Sequence, residues 1–406
     1  MEHFGDKLNP YRQDKVQNAV RGSKSHHTIT HNPSSANPNE TLYVRIPKLK
    51  KDMLFVPGSM YLSANLEITG HNKNHPVDNI GRKLISKMVV KIGGEIVFDL
   101  SSYNVFMTYK DLWMTTNQRQ NRIYEGIQSE RLRKLRHNVE LADKTTAESD
   151  LATILYKNKY RIPLDLEILT KHAPLYSYAL HSDIIIEITL ADISQIVVTE
   201  EAATAKYKLE NICLEYDTIE NEQLANSVES LYNQGYVFLY DFTQLFKTIH
   251  LTNTMTVVNE NINIPKKSIK GILLLFYTDG KFKQGYIDKI EITIEGISNK
   301  IYNQHMKYVD HFEEAKKYFL DEKNKETELT DMNLTDYHTG NKYALWIDLR
   351  STDFDNLHNS GYKLQNTKDG IQLHMSRINT AQTCYIYVVS DCQVAIQNRQ
   401  IVSFQQ

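Results

Sequence analysis

His71 and His75 stand four residues apart, the spacing that lets two imidazoles on one helical turn share a metal ion. Gly70 and Pro76 bracket them, so the segment reads as a loop and solvated loop histidines are expected. His26, His27 and His31 fall among turn formers and take the same reading. Asp353 and Asp355, with Glu313 and Glu314 elsewhere, could supply acid/base or metal-binding carboxylates. The two aspartates lie between Thr352 and Asn356 and read as a solvated turn. Arg131, Arg133, Lys134, Arg136 and His137 form a basic cluster of the kind that meets phosphate. Glu130, Glu140, Asp143, Glu148 and Asp150 flank it and cancel its field, so a solvated helical insertion or an intersubunit salt-bridge surface is expected.

Cys384 and Cys392 would be about 26 Å apart in one extended strand, too far to bridge, and read as buried thiols. Tyr385 and Tyr387 share a strand face and could stack bases, although rings so placed more often fill a core or a subunit interface. Asn39-Glu40-Thr41 and Asn333-Leu334-Thr335 match the glycosylation sequon and, with no signal-peptide core in Met1 to Tyr11, read as chance matches. Phosphate-cradling glycine loops, HExxH, GxSxG and CxxC are all absent from the sequence. No catalytic residue, cofactor or metal is therefore expected.

The elements that would position these residues are mostly strands. Leu62, Ala64, Leu66 and Ile68 share one face of an extended segment. Ile184, Ile186, Ile188 and Leu190 do the same, as do Ile290, Ile292 and Ile294, and Tyr343, Leu345, Ile347 and Leu349. Period two predicts half-buried strands with one wet face. Helical spacing is confined to 103–116 (Val105, Phe106, Tyr109, Leu112, Trp113), 221–231 (Leu224, Val228, Leu231) and 302–320 (Tyr302, Met306, Val309, Phe312, Phe319). So few helices do not suit a doubly wound parallel sheet.

The order repeats. Strands are expected near 41–48, 59–70, 84–92 and 95–100, then helix 103–116 and a polar excursion, then strands near 155–166, 176–181, 183–191 and 206–217. The second series runs 236–250, 254–264, 269–278 and 286–297, then helix 302–320 and a polar excursion, then 342–349, 361–365, 370–377 and 382–397. Eight strands per unit is the count of a jelly roll. The expected fold is all-β, two tandem eight-stranded jelly rolls with a few helices in the connections. Its expected parts are an arm at 1–40, jelly rolls at 41–219 and 236–406, and a connector helix at 220–235.

Composition bounds the rest. The 406 residues carry 47 basic and 49 acidic side chains, which argues against a surface that clings to nucleic acid or acidic membrane. Three cysteines exclude a disulfide-framed scaffold, and no apolar run nears the roughly 20 residues that span a bilayer. A soluble chain from a reducing compartment is expected.

Three stretches carry a family likeness. Asp369-Gly370-Ile371-Gln372-Leu373-His374-Met375-Ser376-Arg377-Ile378-Asn379 has a glycine, an alternating strand, then Ser-Arg-Ile-Asn, followed by the apolar strand Thr383 to Ile396. Arg161-Ile162-Pro163-Leu164 leads to Ala173-Pro174-Leu175-Tyr176-Ser177-Tyr178-Ala179-Leu180-His181 and the strand Ile184 to Leu190. Leu42-Tyr43-Val44-Arg45-Ile46-Pro47 opens the series. Over about 41–404 the chain resembles the double jelly-roll major capsid proteins of eukaryotic double-stranded DNA viruses, a lineage that includes nucleocytoplasmic large DNA viruses, virophages and the Polinton/adintovirus group. It departs from them at Ala173-Pro174-Leu175 and Tyr178, where relatives are more aliphatic.

The resemblance makes Gly370, Ser376, Arg377, Asn379, Pro163 and Pro174 structural motif residues. It implies a non-enzymatic shell subunit in the virion, assembled inside a host cell as a hexagonal homotrimer that tiles an icosahedral lattice. Penton and minor capsid proteins are the further partners implied, with neither sequence-specific nucleic-acid binding nor a membrane span. The competing readings are a tandem β-sandwich that binds carbohydrate or a receptor, and a β-rich polysaccharide enzyme, for which no paired carboxylates stand out.

Overall fold

Isoleucine, valine and aromatic residues alternating with polar ones favour pleated backbone, and among the described residues antiparallel strands are the predominant element. The computed structural model describes residues 23–139, 158–164, 166, 177, 178, 180–199, 204–262, 268–283, 289–294, 297, 298, 308–320, 330–350, 361, 362, 371–376 and 381–405. Of these, residues within Met1–Asn104, Asn117–Tyr240 and Gln393–Gln405 make one compact unit. Those within Val105–Thr116 and Asp241–Cys392 make the other.

In chain order the first series is β1 (Ser23–Thr30), β2 (Thr41–Arg45), β3 (Met53–Phe55), β4 (Tyr61–Thr69) and β5 (His75–Pro76). Helix α1 (Ile80–Lys83), the hairpin β6 (Ile85–Ile92) and β7 (Glu95–Ser101), and α2 (Tyr103–Asp111) follow. Then come α3 (Thr116–Gln120), a short 3-10 turn (Ile123–Glu125), α4 (Glu130–Arg136), β8 (Lys159–Pro163), β9 (Ile184–Leu190), α5 (Ile193–Ile196), β10 (Val197–Val198) and β11 (Lys206–Glu220). One sheet runs β1-β11-β4-β8 with β3 also on β11, and the other runs β2-β9-β6-β7. Neighbours distant in sequence, such as β2 and β9, mark the long connections of a Greek key. Ile184, Ile186, Ile188 and Leu190 are all buried, while Ile185, Glu187 and Thr189 between them are half-buried. Helix α6 (Glu222–Gln234) forms where helical spacing predicted one and lies within the first unit, and the Asn221 side chain caps it by accepting from Leu224 N at 2.8 Å.

The second series is β12 (Tyr236–Leu251), β13 (Val257–Ile262), β14 (Ile269–Thr278), β15 (Lys281–Phe282), β16 (Lys289–Ile294) and β17 (Ile297–Ser298). Helices α7 (Tyr308–Phe319) and α8 (Leu334–His338) precede β18 (Leu345–Asp348), β19 (Ile371–Ser376), β20 (Gln382–Gln397) and β21 (Gln400–Gln405). Its sheets run β12-β20-β14-β15, with β18 on β14 and β21 on β20, and β13-β19-β16-β17.

Four expectations change. The arm is not featureless: β1 pairs with β11 along all of Ser23–Thr30, and Ala36 is buried in a bridge to Leu209. Backbone hydrogen bonds hold this stretch although it has few apolar residues. Of the strand expected at 176–181, residues 177, 178 and 180 are described and lie outside any strand. In the second unit the alternation at 343–349 leaves no wet face, because Ala344 and Trp346 are buried as well. Tyr318 of α7 stacks on Trp346 at 4.0 Å, and Phe106 of α2 packs on Tyr387 at 5.4 Å, so helices cover that sheet. Val309, placed by spacing on the apolar side of its helix, is exposed instead.

Candidate functional site

The basic cluster is the largest departure from the sequence reading. Ser129 caps α4 by accepting from Leu132 N, and the helix turns Arg133 and Arg136 inward. Both are buried rather than solvated. Arg133 donates from Nε to Pro76 O at 2.9 Å and from Nη1 to Gln128 O at 2.6 Å, with Asp78 Oδ1 3.5 Å away. Arg136 donates to the Lys159 and Ile123 carbonyls, and its guanidinium lies 3.9 Å from the Tyr160 ring centroid. Backbone oxygens and a ring face satisfy these cations, which flanking acid residues alone would not. His137 stacks on the same tyrosine and its Nε2 lies 2.8 Å from the Tyr160 hydroxyl. Burial, then the charges of Arg136 and His75, push the His137 imidazole down to about 3.

His75 is also buried rather than a solvated loop residue, its side chain only 4% exposed. It lies in β5, which pairs with β10, and its Nδ1 donates to Lys73 O. His26 and His27 belong to strand β1: His26 Nδ1 meets Asp217 at 2.8 Å, and His27 stacks on Tyr216. His31 Nδ1 donates to Pro33 O. Among the described residues no three His, Cys, Asp or Glu side chains group as a metal site.

The remaining chemical candidates are structural. Cys384 and Cys392 are buried free thiols, and burial pushes the Cys384 thiol up. Glu314 pairs with Lys317, and Asp353 and Asp355 lie outside the described residues. Tyr387 is buried beside Tyr385, so the pair forms no open platform. Asn333 caps α8, and Asn39 donates to Asp192.

A buried charge centre at Glu215 and a half-buried one at Lys270 had no sequence signal. Glu215 lies between Lys159 Nζ at 3.2 Å and Arg161 Nε at 2.8 Å. Burial works to raise its carboxyl, but the Ser63 hydrogen bond and the two cations hold it low. Lys270 Nζ lies 2.6 Å from Asp241 and 2.9 Å from Asp391. Burial opposes its charge, yet the two carboxylates push it up to about 12. These residues meet only through strand pairing, and spacing cannot announce them.

The exposed surface offers a different candidate. On β12, Tyr236, Phe238 and Tyr240 are buried while Val237 and Leu239 between them are 36% and 40% exposed. Val402 on β21 is 56% exposed, and both strands flank β20. Apolar residues on the wet side of a strand suit a surface that meets another chain. An apolar run on both faces at 236–240 was the available signal.

No protein-family model and no curated protein matches the sequence. Solved structures do match. Similarity to the PBCV-1 virus capsid, a quasi-atomic model, covers 96% of this chain and 99% of that one, at 12% identity and TM-score 0.62. The Faustovirus major capsid protein matches over 95% and 92%, at 8% identity and TM-score 0.60. The mavirus major capsid protein matches over 94% and 89%, at 8% identity and TM-score 0.52. The chain has the double jelly-roll fold.

The motif residues can be placed on the double jelly roll only in part. Pro163 ends β8, the edge strand beside β4, where its missing N–H breaks no ladder. Ser376 ends β19 opposite Val257 and Lys289. Gly370, Arg377, Asn379 and Pro174 lie outside the described residues. Among the described residues no helix of the double jelly roll is long and apolar enough to cross a membrane.

Proposed function

We propose that the chain is a major capsid subunit that forms hexagonal homotrimers and, through them, an icosahedral shell. The supporting observation is the end-to-end fold likeness, 96% of this chain against 99% of the PBCV-1 capsid chain, which takes in both units. In this reading the jelly rolls correspond to 41–219 and 236–406, joined by the connector at 220–235. The subunit is non-enzymatic, sits in the virion, and meets copies of itself, with penton and minor capsid proteins as further partners. Gly370, Ser376, Arg377, Asn379, Pro163 and Pro174 serve structure. A formal charge of −2 suits subunits that must tile without strong mutual repulsion.

Light scattering and electron micrographs of the purified chain test the proposal. The expected particle is a trimer of the 47.1 kDa chain with a hexagonal outline. A persistent monomer at micromolar concentration that does not assemble in salt overturns it. A monomer with a clear hit on a glycan array would point instead to a carbohydrate-binding tandem sandwich.

A further inference from the structure

Helix α4 is held to the first unit through the buried His75 and the half-buried His137 in a cationic setting. Lys73 O can only accept, so His75 Nδ1 carries the proton and Nε2 presents a bare lone pair. That Nε2 is buried and, among the described residues, has no hydrogen-bond partner. On the opposite side, α4 presents Glu130, Arg133 and Lys134. Glu130 Oε1 is 3.9 Å from Nε2 but already binds Lys134 Nζ at 2.6 Å. The paired strand β10 brings only Val197 and Val198.

His137, directly after α4, faces Tyr160 of β8, Arg136 of its own helix and His75 of β5. Arg133 in turn faces Asp78 and Glu130, with the half-buried Lys83 of α1 close by. The cations Lys83, Arg133, Lys134 and Arg136 thus outnumber the carboxylates Asp78 and Glu130. A proton added here finds more positive charge than negative.

The hydrogen bonds make the same point. Neutral His137 Nε2 and the Tyr160 hydroxyl share one hydrogen bond at 2.8 Å, in which an Nε2 lone pair can accept from the hydroxyl. In the imidazolium both ring nitrogens donate, so Nε2 can only donate to that oxygen, and the hydroxyl hydrogen must point to an acceptor beside the Arg136 guanidinium. The imidazolium would also stack on a ring whose face already serves Arg136. Protonated His75 Nε2 would be a buried donor whose nearest carboxylate, Glu130 Oε1 at 3.9 Å, lies beyond hydrogen-bond distance and is already held by Lys134.

We propose that His75 and His137 form an acid-sensitive latch, whose protonation releases the α4 segment, residues 129–139, from β5 and β8 while the sheets of the first unit stay paired. The sign follows from the burial. Both imidazoles are held below their unfolded value, so their contribution is complete above pH 6.5 and is lost as pH falls. The latch is a property of the first unit and stands apart from the capsid reading.

Hydrogen–deuterium exchange of the full chain at pH 7.5 and 5.0, with pulse times scaled to intrinsic exchange, tests it. For His137 alone the opening of 129–139 is expected to rise about thirtyfold at pH 5.0, the ratio set by an unfolded value of about 6.5, and further with His75. Peptides from 61–69 and 206–216 are expected to keep their protection. In the double variant His75→Gln, His137→Gln, the amide oxygen introduced at position 137 can still accept from Tyr160, and residues 129–139 are expected to stay protected at pH 5.0. Unchanged protection of 129–139 in the wild type, or equal loss in the double variant, overturns the latch. Should the double variant not fold, imidazole titration of the wild-type chain decides, and a His137 midpoint at or above 6.5 overturns it.

Discussion

The Arg136 guanidinium lies 3.9 Å from the centroid of the Tyr160 ring, and both side chains are buried. One residue comes from α4 and the other from β8, so this pair fastens a helix that carries little apolar surface onto the sheet. Burial lowers the arginine's affinity for its proton, and the guanidinium keeps its charge through the ring face and the carbonyls of Lys159 and Ile123.

Replacing Arg136 with methionine keeps the bulk and removes the donors. It is expected to destabilise the first unit by about 2–4 kcal/mol, combining an unmet buried carbonyl with the lost cation–π contact. Arg136→Lys is expected to recover only part of this, because an ammonium lacks the planar fork. Urea denaturation followed by circular dichroism measures both.

Gly271 on β14 is expected to tolerate no side chain. A Cβ there would overlap the Trp346 ring and approach Ile347 O to 2.7 Å. Both are locked by strand pairing and by the Tyr318 stack. Gly271→Ala is expected to cost about 2 kcal/mol or more, seen as a lower thermal midpoint with a changed near-ultraviolet tryptophan signal.

Lys270 gives the second unit an alkaline dependence. Its value rises from 10.5 to about 12 on folding, so the stability it adds is complete below pH 10.5 and is lost as pH rises through 12. Wild type is expected to exceed Lys270→Met in stability by a constant margin up to about pH 10 that narrows above it. Paired denaturation curves across that range give the margin directly, and a margin independent of pH would contradict the assignment.

Val237 and Leu239 test the assembly surface without touching the core. As exposed residues, their replacement by aspartate is expected to change folding stability by less than about 0.5 kcal/mol. On the capsid reading it is expected to weaken trimers at least tenfold in sedimentation velocity. Trimers that persist unchanged would place the subunit contact elsewhere on the chain.

Most strands could be read from the sequence because period two is a local signal. The stretch 184–190 shows this, every second residue being buried. The site was less legible. Arg133 and Arg136 read as a charged, solvated run because their ligands are carbonyls of Pro76, Gln128 and Lys159, and backbone oxygens leave no mark in a sequence. Strand β1 was missed for a related reason: its pairing with β11 rests on main-chain hydrogen bonds and on contacts such as His26 to Asp217, 191 residues away.

The sequence by itself determined the all-β class, the two series of strands with their helices between, and the family likeness in fold. Each of these rests on the order and periodicity of residues along the chain. Tertiary structure alone decided which polar groups are buried and what satisfies them: Tyr160 under Arg136, Lys159 and Arg161 around Glu215, and Asp241 and Asp391 around Lys270. Burial of a charge depends on partners brought together by strand pairing across long stretches of chain, and no local pattern encodes that distance.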